Sequence, residues 1–187
     1  VSLVTFVLGG ARSGKSRYAE GIAAKHNGRK TYIATADPID AEMRARIAEH
    51  RERRGNDWET LEAPVDLVAA LRGCKTDFVL IDCITVWIGN LMHHKRDVRA
   101  EVEKLREALS AAKGRVVVVS NEVGLAIVPD NALARAFRDE QGFANQCIAE
   151  AAGEVIFVMA SLPMVLKKPQ RKPTPRVKAK SSHGRRA

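Results

Sequence analysis

The first sixteen residues, VSLVTFVLGGARSGKS, restrict the fold of this chain more than any other stretch. Val4 to Leu8 is a short apolar run that reads as a buried strand, and Gly9, Gly14, Lys15 and Ser16 occupy the fixed places of G-x-x-x-x-G-K-[ST]. The pattern needs glycines where backbone amides turn toward phosphate oxygens, a lysine that reaches the outer phosphates, and a hydroxyl for magnesium. A chance Gly/Ser turn can match the letters but rarely brings a strand before it and a helix after it, and here a helix is expected from Lys15 to about Ala24. The loop Gly9, Gly10, Ala11, Arg12, Ser13, Gly14, Lys15 and Ser16 is therefore expected to cradle a nucleoside triphosphate, with Lys15 acting on the phosphates and Ser16 facing the metal.

The rest of the chain repeats the alternation that this opening starts. Short apolar runs at Lys30 to Ala34, Phe78 to Ile81, Arg115 to Val119 and Val155 to Met159 are separated by amphipathic stretches, the pattern of a parallel sheet with crossover helices. Val98, Val102, Leu105, Leu109 and Ala112 recur at helical spacing on one face, and a second helix is expected from about Asn131 to Ala151, capped by Asp130. Asp82 closes the run Phe78-Val-Leu-Ile, where a Walker-type magnesium carboxylate belongs; a plain strand-end carboxylate is the blander reading. At 187 residues the chain has room for one good core, so a single domain is expected.

Charge narrows the function classes by its position. Of the 31 Lys and Arg residues, nine fall from Lys167 onward, where there is no Asp or Glu, so the remaining 22 are matched by the 22 acidic residues. The formal net charge of +9 thus sits on Lys167 and a Pro-containing tail, 168–187, expected to be disordered, while residues 1–166 are formally neutral and a single P-loop domain is expected over 1–167. Aromatics at 5% leave little for stacking nucleic-acid bases, so any such contact is expected to be weak and confined to the tail. The three cysteines are widely spaced with no C-x-x-C pair, which fits a reducing cytoplasm and no zinc site. The apolar runs are too short for a membrane span.

Asp40 to Arg54, DAEMRARIAEHRERR, reads as a helix with Met43, Ile47, His50 and Arg54 on one stripe. Two readings of His50 stand side by side. Either it finishes a core face while the arginines are solvated, or Arg46, Arg51, Arg53 and Arg54 clamp phosphates within reach of it. In the second case the surrounding positive charge would favour the neutral, nucleophilic imidazole.

Taken together, GGARSGKS, YIAT at Tyr32 to Thr35, RIAEHRERR followed by Trp58 and Glu62, DCIT at Asp82 to Thr85, NEVGLAIVPDN at Asn121 to Asn131 and FRDEQGFANQ at Phe137 to Gln146 closely resemble the bifunctional adenosylcobinamide kinase/adenosylcobinamide-phosphate guanylyltransferases of cobalamin biosynthesis. The resemblance runs from residue 3 to about 167 and implies an α/β, RecA-like P-loop NTPase fold, assembled as a homotrimer. It implies phosphorylation of adenosylcobinamide with ATP or GTP. GMP would then pass from GTP through a guanylylated His50 to adenosylcobinamide phosphate. It further implies that Thr35, Ala36, Asp37, Arg51, Glu52, Arg53, Arg54, Glu62 and Asp82 contribute to nucleotide binding, with Ser16 and Asp82 at Mg2+. Asn121 and Glu122 fall beside the active site with no assigned step. A P-loop kinase acting on a small molecule with a structural His50, and a nucleotide-regulated nucleic-acid binder, are the alternatives.

Overall fold

The structure, a computed structural model, describes residues 2–36 and 57–169. In chain order it contains β1 (Val4–Gly9), α1 (Lys15–Ala23), β2 (Lys30–Ala34), β3 (Trp58–Glu62), α2 (Leu67–Gly73), β4 (Phe78–Asp82), α3 (Ile84–His93), α4 (Val98–Ser110), β5 (Arg115–Asn121), α5 (Ala132–Ala151), β6 (Glu154–Met159) and β7 (Leu162–Lys167). The strands form one sheet in the order β3-β2-β4-β5-β1-β6-β7, parallel throughout except for the antiparallel β6–β7 hairpin.

The inner parallel strands are mostly apolar and buried because both of their faces are covered. Successive side chains point to opposite sides. Phe6, Val79, Ile81, Val116 and Val118 thus join the core under α2 to α5, and Val7, Phe78, Leu80, Val117 and Val119 join the core under α1. Trp87 of α3, fully buried, anchors the larger core and donates its indole N–H to the Val65 carbonyl at 2.8 Å. With the indole nitrogen paired, the ring adds apolar area without an unsatisfied donor.

The helices expected within the described residues form, with two adjustments, and the one expected over Asp40 to Arg54 lies outside them. The first turn of α5 is capped by Asn131, whose Oδ1 accepts from the Ala134 amide at 2.7 Å, and not by Asp130. Asn131 has the extended backbone a cap needs, and the Asp130 carbonyl is taken by Arg135. Helix α4 stops at Ser110, so Ala112 lies beyond its end yet still packs on the core. Strands β3 and β7 were not expected, and both lie at the sheet's edges.

The connections after β1 and β5 leave the sheet toward opposite sides. The chain passes from β1 through α1 toward β2, and from β5 through α5 over β1 to β6. This arrangement opens a crevice at the carboxyl ends of β1 and β5, the usual ligand position in open α/β sheets.

Candidate active site

The loop between β1 and α1 is shaped by residues held in left-handed conformations. Arg12 has φ 54° and Gly14 φ 99°, which turns the Gly10–Gly14 backbone into a concave nest at the start of α1. Gly9 is required by proximity: a Cβ there would run into the Val158 carbonyl of β6 and come within 2.8 Å of the Ser13 hydroxyl. A Cβ on Gly14 would meet Ser161 Oγ at 2.7 Å, on top of the strain of its positive φ. Ser161 sits in the β6–β7 turn and donates its amide to the Ser13 carbonyl at 2.8 Å, so the hairpin braces the loop from behind. Nothing in the sequence marks this contact, because Ser13 and Ser161 are far apart in the chain.

Gly14→Ala is expected to cost about 1–3 kcal/mol through the left-handed backbone alone, lowering the melting temperature by several degrees and weakening nucleotide binding with it. Gly10→Ala is the control for stability, since a Cβ there meets nothing within 4 Å. Thermal melting of the two variants checks the contrast; equal melting temperatures would show that Gly14 is not held as described.

Lys15 begins α1 with its side chain 8% exposed and its ammonium donating to the Gly10 carbonyl at 2.6 Å. Burial lowers its pKa from the ordinary lysine range, partly offset by the Cys83 and Asp82 side chains. The Ser13 hydroxyl is buried inside the loop and has no hydrogen-bond partner among the described residues, an orphaned donor in a cradle of backbone amides. These features suit phosphate oxygens, which accept from amide, hydroxyl and ammonium alike.

The other expected residues line up along the same edge of the sheet. Thr35 and Ala36 follow β2, Glu62 ends β3, Asp82 ends β4, and Asn121 ends β5 beside Gly9. Ala34 is paired with both Glu62 and Asp82, and Gly9 with Asn121. Thr35 ties this edge together. Its hydroxyl donates to the Cys83 carbonyl at 2.7 Å and accepts from the Cys83 amide at 2.8 Å. Its own carbonyl accepts from Asn90 of α3 at 2.8 Å, and the same Asn90 amide bonds Pro64 at 2.9 Å. Asn90 is a site-shaping residue that sequence reasoning missed; only its place on an otherwise apolar helix hinted at it.

Asp82 lies two strands from β1 and accepts a hydrogen bond from the Tyr32 hydroxyl at 3.3 Å. Ser16, in the first turn of α1, is half-buried. Glu62 is separated from Gly9 by four strand spacings, about 19 Å. Of the expected magnesium residues, Ser16 lies at the loop and Asp82 two strands away, while Glu62 stands at the far end of the edge. Cys83 is no rival nucleophile, since burial, and then Asp82, push its thiol up to about 11. Asp37, His50, Arg51, Glu52, Arg53 and Arg54 lie outside the described residues, which reach this edge at Ala36 immediately before them.

Among the described residues no helix is long and apolar enough to cross a membrane, and no group of three or more His, Cys, Asp or Glu side chains could hold a metal ion unaided. Magnesium does not require such a group, because it keeps several waters and takes substrate phosphates as ligands.

The chain is similar to known proteins over most of its length. The sequence model of a family described as cobinamide kinase / cobinamide phosphate guanyltransferase matches residues 5–166. The chain is 47% identical over 165 residues to the bifunctional adenosylcobalamin biosynthesis protein CobP of Pseudomonas aeruginosa, covering 86% of this chain and 95% of that protein. It is 36% identical over 182 residues to the bifunctional adenosylcobalamin biosynthesis proteins CobU of Escherichia coli and of Salmonella typhimurium, covering 88% of this chain and 100% of each.

Proposed function

The chain belongs to the cobinamide kinase / cobinamide phosphate guanyltransferase family and is a bifunctional enzyme of cobalamin biosynthesis; we propose that it runs both transfers on the P-loop edge and carries GMP on His50. The observation that supports this most is the row of functional residues along that edge. The phosphate loop stands at one end, Asp82 and Thr35 in the middle and Glu62 at the other, with Ala36 leading into the segment that holds His50.

In the first reaction the Gly9–Ser16 amides and Lys15 hold the phosphates of ATP or GTP, and the alcohol of adenosylcobinamide attacks the γ-phosphorus. Phosphoryl transfer needs little covalent help from the protein, only alignment and balancing of developing charge. Ser16 and Asp82 would hold Mg2+, which would neutralise phosphate charge when bound. In the second reaction the neutral imidazole of His50 attacks the α-phosphorus of GTP, the bond to the β-phosphate oxygen breaks, and pyrophosphate leaves. An oxygen of adenosylcobinamide phosphate then attacks the same phosphorus, the N–P bond breaks, and adenosylcobinamide-GDP departs with His50 restored.

Two transfers at different phosphorus atoms need two placements of the nucleotide. The edge is long enough for both: its two ends lie about 19 Å apart, with Glu62 at the end away from the loop. Purified protein given adenosylcobinamide and ATP should form the phosphate ester, and adding GTP should then yield adenosylcobinamide-GDP and pyrophosphate. Accumulation of the ester with no further conversion would leave a kinase alone.

A homotrimer belongs to the same proposal. Strand β7 is exposed along its whole length, with Leu162, Met164, Val165 and Leu166 all in solvent beside Met159. A contiguous apolar strip on an edge strand is a surface that association covers. Light scattering on the intact protein should give three times the mass of one chain; a monomer would contradict it.

A further inference from the structure

The tip of β5 stands between the phosphate loop and Asp82, and it is held more firmly than a strand end requires. The Asn121 amide donates to Thr85 Oγ1 of α3 at 2.8 Å, and the Asn121 carbonyl accepts from Asn145 Nδ2 of α5 at 3.1 Å. The next amide, that of Glu122, donates to the Gly9 carbonyl at 3.0 Å. Behind the tip, Ser120 and Gln141 are both 0% exposed. Gln141 Nε2 donates to Ser120 Oγ at 2.9 Å and to Asn145 Oδ1 at 3.0 Å, and Ser120 Oγ donates to Asn145 Oδ1 at 2.8 Å. Polar side chains are costly to bury, and a hydrogen-bonded set of them fixes one geometry where apolar packing would tolerate several.

What this clamp holds in place is Glu122. It is half-buried, it directly follows the residue paired with Gly9, and it lies at the crevice between the β1 and β5 connections. Its carboxylate accepts from the Gly124 amide, which leaves further acceptor capacity on both oxygens. Asp82, the other carboxylate near the loop, is one strand further from β1 and is engaged by Tyr32.

Resting on the function proposed above, we propose that Glu122 is the proton acceptor of the kinase step. As the substrate's alcohol oxygen forms its bond to the γ-phosphorus, its proton passes to the Glu122 carboxylate. The bond from that phosphorus to the bridging oxygen breaks with its electron pair on the departing nucleoside diphosphate, and Glu122 then returns the proton to water. The guanylyl transfers need no such acceptor. Their nucleophiles are a neutral imidazole and an already ionised phosphate, neither of which carries an alcohol proton.

Glu122→Gln keeps the size and the acceptor oxygen for Gly124 and removes the base. Turnover in phosphorylation of adenosylcobinamide by ATP should fall about 100-fold or more, with KM for both substrates little changed and GMP loading from α-labelled GTP at the wild-type rate. Glu122→Asp should recover part of the lost turnover. Glu122→Gln turnover within about threefold of wild type, against the 100-fold or larger loss expected of a general base, would overturn the proposal. So would parallel loss of phosphorylation and GMP loading, which would make Glu122 part of nucleotide binding. Failure of the wild-type protein to phosphorylate adenosylcobinamide would instead overturn the functional reading on which the proposal rests.

Discussion

Lys15→Ala should abolish both reactions and leave the fold standing. The lysine supplies the one side-chain ammonium at the floor of the phosphate loop, and removing a charge aimed at transferring phosphates typically costs about 100-fold or more in rate. Both transfers should lose at least that much, since each nucleotide is gripped by the same loop. Stability should not suffer. The amine makes one hydrogen bond, to Gly10, and burial lowers its pKa, so its charge is held at a cost to folding. A lysine whose folded pKa is lowered binds fewer protons than the unfolded chain in the window below 10.5 and above the lowered value, so this cost is full below the lowered value and is relieved as pH rises through it toward 10.5. The alanine variant should therefore melt at or above the wild-type temperature while showing no turnover. Near-normal phosphorylation by Lys15→Ala would mean that the loop does not hold the transferred phosphate.

His50→Asn should separate the two chemistries. The kinase step hands the γ-phosphoryl group directly to an alcohol and uses no protein nucleophile, whereas transfer through a guanylyl-enzyme needs one. Phosphorylation should stay within a few-fold of wild type, and formation of adenosylcobinamide-GDP should disappear. The label left on wild-type protein by α-labelled GTP should be acid-labile and stable to alkali, as an N–P bond is. Loading should decline as the medium is made acid enough to protonate the imidazole, because only the unprotonated ring attacks. Product formation by His50→Asn at the wild-type rate would place the nucleophile elsewhere.

Much of the site was legible in the sequence because its signals are local. The strand, glycine loop and helix of residues 4–23 form as the spacing requires, and Asp82 ends a buried strand as expected. Strands β1, β2, β4, β5 and β6 were readable because their inner positions in the sheet make them short, mostly apolar runs. Strand β3, WETLE, was not, since an edge position leaves it half-exposed with two of its five residues, Glu59 and Glu62, charged. Strand β7 follows a two-residue turn, Ala160-Ser161, whose positive φ values are normally the province of Asn and Gly, so no turn signal announced it. The chain of contacts from Gln141 through Ser120 and Asn145 to the tip of β5 joins residues 21 to 25 positions apart across two elements, and no periodicity encodes it. The sequence likewise could not tell that Glu62 stands at the far end of the row from the phosphate loop, because strand order is a property of the assembled sheet.

The central claim is that one chain both phosphorylates its substrate and carries GMP covalently to the product. Purified protein incubated with α-labelled GTP in the absence of corrinoid, then denatured and washed, should retain the label. The same loaded protein, given adenosylcobinamide phosphate before denaturation, should surrender it to adenosylcobinamide-GDP in a single turnover. A denatured chain without label, or label that adenosylcobinamide phosphate does not remove, would contradict the account.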